Sequence, residues 1–580
     1  MYLRMIFKIK NNYKMNNKIK SIALASAVTG GMLLSNCTLV KDLEYKVLED
    51  PLEMHGDEVK LKMTATFIEK GLNKKAVVEV TPIFVCNDGT EILFDSRTFQ
   101  GEKAAGNGEV ITKAGKTITY ESMRPYQSCM EEGKVIVKIL PKKGEKEKEV
   151  ILTDKIADGT IITPYLIQLD DQVVACDDNF KRITTHTTEA TINYDKAKFN
   201  VKSSELKQQD IKDYEAFIID AQTNVRRDAK SINIMSYASP EGEIDKNDNL
   251  AADRATSANG YLTNFYKKSK LEMPAGFVTK TPKGEDWDGF KTEVEKTTHE
   301  DKDLILRVLE MTSDLNKREE DIRNMAKTYK FLEKEVLPQL RRSQMTLTYD
   351  KVGYSDDELK QLSKSKPDTL TVEELLYTAE LVEDLNEKLR IYKAAEVKYG
   401  DDYRVVSNVG YILYLQNDLD GAKAKFETAF GLQEDAIVAN NLGAVAHMQG
   451  DRAKAKELFE KAGGPETEYN MGLIAIQEGM YGEALEKMGD NETFNVALAK
   501  VLNGEKDAAG AIIDASADAD AAYSYYLKAI IAARGDNAAD VVSNLTKAIG
   551  KDAAYKAKAA KDAEFIKLRD NAEFKAVAGL

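Results

Sequence analysis

Three hydrophobic periods follow one another along the chain. From about residue 45 to 160, apolar and polar residues alternate, as in Val59-Lys60-Leu61-Lys62-Met63-Thr64-Ala65-Thr66-Phe67, Lys75–Phe84, Thr117–Tyr120 and Lys134–Leu140. Turn clusters at Asn87-Asp88-Gly89 and Ala105-Gly106-Asn107-Gly108 separate these runs. A period of two broken by turns predicts an N-terminal β-sandwich, with a linker, over 37–184. From 185 to 352 the pattern is mixed: strand Thr188–Tyr194, helix Glu205–Val225, strand Ser231–Ser236 and helix Leu250–Lys267. Two βα units sharing a sheet make this a central α/β domain. From 370 to 580 the period is 3.6 and alanine becomes frequent, which predicts a C-terminal α-solenoid.

The start of the chain changes the picture. Residues 1–36 carry six basic side chains and no acid, and an apolar run at Ser21–Leu34 precedes Cys37. This charge order is that of a secretory signal, with its start at Met1 or Met15; the run is too short to span a bilayer, which takes about 20 residues. Leu34-Ser35-Asn36-Cys37 resembles the lipobox of bacterial lipoproteins, with Asn36 where that family has a small residue. The resemblance implies lipidation of Cys37 by acyl chains such as palmitate. It also implies attachment to a membrane surface, here the outer membrane facing the periplasm, since no acid directly follows Cys37. Cys86 and Cys129 lie in one β-rich segment and are a possible disulfide in an oxidising compartment, which leaves Cys176 unpaired.

The strongest local motif is in the second βα unit. Ser231-Ile-Asn-Ile-Met-Ser-Tyr237 is followed by a loop containing Ser239, Glu241 and Gly242, and then by Asn247-x-x-Leu250-x-x-x-Arg254-Ala255. This resembles the OmpA-like peptidoglycan-binding domain, with Tyr237, Gly242, Asn247, Leu250, Arg254 and Ala255 in that family's register. The resemblance implies a cell-wall ligand, the diaminopimelate of the peptidoglycan stem peptide: an Asp after the strand pairs its ammonium and the Arg takes a carboxylate. An Arg fork suits a carboxylate. Ser239 stands at the Asp position and carries no charge; Glu241, two residues on, is the nearby carboxylate that a turn at Pro240 can bring inward. The family's third and last strands correspond to Gly276–Lys280 and Ser343–Tyr349. The helices between them, Trp287–Thr297, Asp301–Met311 and Asn316–Leu337, form an insertion over about 286–338. Trp287, the sole tryptophan, reads as a core residue where a helix begins or as a partner-binding anchor.

In the solenoid, Asn408-Val-Gly410, Asn441-Leu-Gly443, Asn470-Met-Gly472 and Asn495-Val-Ala497 open one repeated pattern. Seven residues after the small residue comes Asn417, Gly450, Gly479 or Gly504; twelve after it comes Ala422, Ala455, Ala484 or Ala509; sixteen after it comes Phe426, Phe459, Met488 or Ile513. This resembles tetratricopeptide repeats, in which small residues let paired helices approach and bulky ones fill the gap. The resemblance implies a concave face that recruits protein partners. Val372–Lys398 reads as a leading helical pair and Ala563–Val577 as a capping helix. Tyr523, Tyr525 and Tyr526 read as groove-lining or inter-helix packing residues.

Composition then limits the function. The 580 residues carry 82 Lys and Arg against 96 Asp and Glu, a net charge of −14; removal of the basic leader takes it to −20, which excludes nucleic-acid wrapping through overall charge. The four histidines (His55, His186, His299, His447) lack metal-ligand spacing, and no metal or other cofactor is expected. No nucleophile elbow, phosphate-binding loop, His-Glu-x-x-His or Cys-x-x-Cys motif occurs, so no enzyme is expected. The functional expectation is a non-catalytic envelope lipoprotein that anchors to peptidoglycan and recruits partners through its repeats. The alternative is an assembly subunit of an outer-membrane secretion, appendage or nutrient-uptake complex whose OmpA-like domain no longer binds the wall.

Overall fold

A computed structural model describes residues 39–41 and 43–580. They divide into two units, one formed by the chain up to Gln168 together with Ala475–Leu580, the other by Leu169–Ile474. The expected signal segment and the lipidation at Cys37 lie outside the described residues. Among the described residues no helix is long and apolar enough to cross a membrane.

The alternating N-terminal residues of the first unit become two sheets. Glu58–Phe67 is the hub of a five-stranded sheet and pairs antiparallel with Glu44–Val47, Leu52–His55 and Lys116–Pro125. Ala76–Cys86 and Gly133–Lys143 pair along their lengths at the centre of an eight-stranded sheet. Period-two patterning sends Val59, Leu61, Met63 and Phe67 of one sheet, and Val78, Phe84, Val135 and Val137 of the other, into one core. Cys86 and Cys129 form a disulfide across a Cα–Cα distance of 5.6 Å.

The same unit contains helices from Tyr481–Met488 through Ala572–Ala578. Arg534 grips Glu564, whose side chain is 2 % exposed, at 2.6 Å, and Glu564 also accepts from Thr163 Oγ1 at 2.5 Å. A carboxylate at this depth is tolerable only with such partners, so these bonds fix the end of the β-rich segment against the helices. The capping segment is a 3₁₀ turn, Ala563–Leu568, followed by the short helix Ala572–Ala578, not one helix; Asn571 caps the second and so restarts it.

In the second unit a four-stranded sheet has the order Ile183–Asn193, Arg342–Val352, Arg227–Ala238, Val278–Glu285. The first three are antiparallel neighbours and the last pair is parallel. Helices Gln209–Thr223 and Ile244–Ser269 contribute Ile211, Tyr214, Ile218, Ala255 and Leu262 to a core with Ile192, Ile232, Ile234, Met345 and Leu347 of the strands. The helices between the last two strands have a core of their own, including Phe290, Val294, Ile305, Leu332 and Val336. The single helix expected over Asn316–Leu337 is broken. Leu315–Arg323 and Ala326–Phe331 are separate, and a π turn at Leu332–Val336 precedes Leu337–Leu340. Past the first gap Thr328 donates to Asp301, and Pro338, which has no N–H to give, sits in the helical turn directly after the π turn. Trp287 is partly buried against this core, donates to Glu285 at 2.9 Å and lies under the Arg318 guanidinium.

Further along this unit, Asp356–Ser365 is a helix with a Ser355–Glu358 capping box. Val372–Glu380 and Leu385–Tyr399 follow, then the pairs Tyr403–Leu415 with Leu419–Leu432 and Ala436–Met448 with Arg452–Phe459, and the helix Pro465–Gln477. The repeat pattern has a direct physical cause. A Cβ added at Gly410 would come 2.9 Å from the Phe426 ring, and one at Gly443 would run into Phe459, so glycine is what lets the paired helices meet. The residue seven positions on takes a left-handed turn: φ is 63° at Asn417 and 86° at Gly450, as it is at Gly504 in the other unit, also 86°. Ala422, Ala455, Phe426 and Phe459 are all buried.

Candidate functional site

The loop after Arg227–Ala238 brings together the residues of the Tyr237–Arg254 motif and leaves neither Glu241 nor Arg254 open. Arg254, in the helix Ile244–Ser269, is fully buried. Its Nε donates to the Lys198 carbonyl at 3.0 Å, Nη1 to Tyr237 at 2.7 Å and Nη2 to Asp195 at 3.4 Å, and its guanidinium lies 5.1 Å from the Tyr194 ring centre. Burial pulls its pKa down to about 10. The fork thus ties the Asp195–Lys198 turn to the end of the strand at Tyr237.

The Pro240 turn does bring Glu241 inward, where its side chain is 5 % exposed, but onto protein partners. Glu241 accepts from Arg341 at 2.7 and 3.0 Å and from Ser239 at 2.6 Å, and pairs with Lys196 at 2.9 Å. Burial pushes its carboxyl up; Ser239, Lys196 and Arg341 outweigh this and hold it below the usual carboxylate range. The Gly242 N–H donates to Glu319 of the inserted helices, and Asn247 donates to Glu285 at 2.8 Å. Tyr237 lies under the Arg342 guanidinium, and Leu250 is half-buried in the helix's second turn. Arg341 and Glu319 close the loop, and nothing local in the sequence ties them to it: their partners are about 77 to 100 residues away.

A second arrangement has no counterpart in the expectations. The recurring repeat asparagines are buried, and each grips one residue of the chain's own linker with both amide atoms. In the second unit Asn408 Oδ1 accepts from the Cys176 N–H at 2.7 Å while its Nδ2 donates to the Cys176 carbonyl at 3.1 Å. Asn441 does the same to Val174 at 2.9 and 2.7 Å, and Asn470 to Gln172 at 2.7 and 2.8 Å. In the first unit Asn495 holds Gln168 in the same way, at 3.0 and 2.8 Å. Alternate residues of an extended chain turn their N–H and C=O to the same edge, so residues 172–176 form an extended strap held by one edge.

This corrects the picture of an open repeat face. The asparagine row of the repeats is filled in cis, by a stretch of the expected linker. The signal was present as an asparagine recurring at helix-interior positions, where its propensity is poor; its target, Leu169–Cys176, has no periodicity that would mark it.

The strap also carries buried polar chemistry. Asp171 contacts His447 Nδ1 at 2.7 Å, with both side chains fully buried; burial raises the Asp171 carboxyl and the histidine opposes this. The Cys176 thiol is buried and pushed up to about 12, which makes it an unreactive packing group. Among the described residues no cluster of three His, Cys, Asp or Glu could hold a metal ion.

No protein-family model matches the sequence, and no curated protein matches it. Solved structures do. One is a tetratricopeptide repeat protein from Parabacteroides merdae ATCC 43184, 15% identical, covering 37% of this chain and 91% of that one, with a TM-score of 0.28. Another is YrrB, described as a TPR protein with an unusual peptide-binding site, 18% identical, covering 39% and 100%, with a TM-score of 0.20. A third is the APC/C hetero-tetramer Cut9-Hcn1, 12% identical, covering 58% and 77%, with a TM-score of 0.30. The C-terminal helices resemble tetratricopeptide repeats. They do so in their helix pairs, their glycine–phenylalanine contacts and their left-handed turns.

Proposed function

We propose that the chain is a non-catalytic assembly subunit of the bacterial outer envelope. Cys37 carries the lipid that holds it to the outer membrane, the middle domain is of the OmpA-like type with its stem-peptide site closed, and the repeats organise protein contacts. Supporting the middle-domain reading are the Tyr237–Arg254 motif and the four-stranded sheet into which it is built. Against wall capture stands the observation that carries the choice: the Arg254 fork is fully buried and directed to the carbonyls of residues 195, 198 and 237. A diaminopimelate carboxylate would have to displace all three, and each buried carbonyl left unpaired costs about 1–3 kcal/mol.

Sedimentation with purified sacculi tests this. The full chain is expected to stay in the supernatant with or without Glu241→Ala. Wild-type pelleting that is lost in Arg254→Lys, a variant that keeps the charge but not the fork, would return the choice to wall anchoring. Membrane fractionation of Cys37→Ser tests the lipid: the variant is expected to leave the membrane pellet.

A further inference from the structure

Over residues 172–176 the strap has two edges, and only one is held. Asn408, Asn441 and Asn470 engage residues 176, 174 and 172; the main-chain groups of Val173 and Ala175 face the other way and make no hydrogen bond among the described residues. Both residues are half-buried. A cavity of about 460 Å³ lies along this stretch, bounded by the strap and by Tyr411, Tyr414, Leu415 and Glu466. Leu415 is 43 % exposed, and Tyr414 donates to the Asp171 carbonyl at 3.3 Å. Glu466, in the first turn of Pro465–Gln477, has no ion-pair or hydrogen-bond partner among the described residues. The place thus offers an unpaired strand edge, an aromatic and apolar wall, and an unneutralised carboxylate, all within the second unit.

We propose that this is a docking site for an extended segment of a partner protein, which adds as a strand to the outer edge of the strap. The Val173 and Ala175 N–H and C=O groups pair with its main chain, the mode by which sheet edges bind peptides. One face of the added strand meets Tyr411, Tyr414 and Leu415, so its residues on that face are apolar. A lysine or arginine at its end meets Glu466, which the acidity of the chain reinforces at a distance. The asparagines do not bind the partner; they hold the template. This deepens the assembly-subunit reading by naming where a partner segment binds, and it rests on that reading. Failure of peptide binding would leave the Cys37 and sacculus tests unaffected.

The probe is the fluorescein-labelled peptide Lys-Thr-Val-Thr-Val-Thr-Val-Lys, titrated with the full-length protein by fluorescence anisotropy. Saturable binding is expected. The double variant Val173→Pro/Ala175→Pro removes the two outer N–H groups, keeps the preceding residues extended and leaves residues 172, 174 and 176 free to bond their asparagines. It is expected to weaken binding about tenfold or more while the Val174 amide stays protected from hydrogen exchange. Glu466→Lys is expected to weaken binding further at low salt than at high salt. Affinity unchanged in the proline variant with Val174 still protected, or no saturation below about 1 mM with wild type, overturns the proposal.

Discussion

Replacing Asn441 with alanine removes the two bonds that hold Val174, at 2.9 and 2.7 Å. Each bond contributes about 1 kcal/mol net, and loss of the amide also strands a main-chain donor and acceptor next to a fully buried position, so local opening should become easier by about 2–3 kcal/mol. At about 1.4 kcal/mol per decade this is a ~30- to 150-fold faster exchange of the Val174 amide. Hydrogen exchange read by mass spectrometry across 168–180 measures it directly. Exchange at Gln172 and Cys176 should rise less, because Asn470 and Asn408 still hold them. Asn441→Asp sharpens the test: it keeps the shape and the acceptor but replaces the donor with an oxygen facing the Val174 carbonyl, so its effect should equal or exceed that of alanine. Val174 exchange within about threefold of wild type in both variants would refute the argument that the amides hold the strap.

Gly443→Ala should destabilise the second unit by about 1–3 kcal/mol through collision with Phe459, and Phe459→Leu in the same chain should recover part of that loss in urea melts. Asp562, 3 % exposed and bonded to Tyr526 at 2.6 Å, has its carboxyl raised by burial to about 6. The folded state therefore keeps a proton that the unfolded chain has lost, and stability should fall as pH rises from about 4 to 6, by roughly 3 kcal/mol, then level off; Asp562→Asn should flatten that profile. Cys86→Ser/Cys129→Ser opens a loop spanning 43 residues and should cost the first unit about 4 kcal/mol on a chain-entropy basis, seen as a lower melting temperature without reductant.

What the sequence showed and what it hid separate by the range of the interaction. Alternation in Val59–Phe67 is a local consequence of one buried face, and burial follows it residue by residue. The seven-, twelve- and sixteen-residue offsets in the repeats are equally local and mark the turn, the close approach and the plug. Arg254 was legible as a motif, but its destination was not, because the Asp195 and Lys198 carbonyls lie 56 to 59 residues away. The closure of the Glu241 loop depends on Arg341, 100 residues on. The strap is the extreme case: its residues meet their asparagines across 232 to 298 residues in the second unit. Since main-chain groups make those bonds, no side-chain pattern in 172–176 records them.

The strap also turns a springy array into one of limited travel. A stack of helix pairs in which each pair touches only its neighbours can ordinarily lose or gain a repeat and can stretch by small rotations at each junction. In the second unit, each step from one asparagine to the next advances the strap by two residues, a reach of about 6.6 Å, whereas packed helix axes stand some 8–10 Å apart. The cord is thus shorter than the stack it spans, so the asparagine tips must converge. Such a stack can curl more tightly but cannot straighten without tearing out an asparagine, and deletion of a repeat would leave two strap residues without a holder. Repeat number and cord length are therefore expected to change only together.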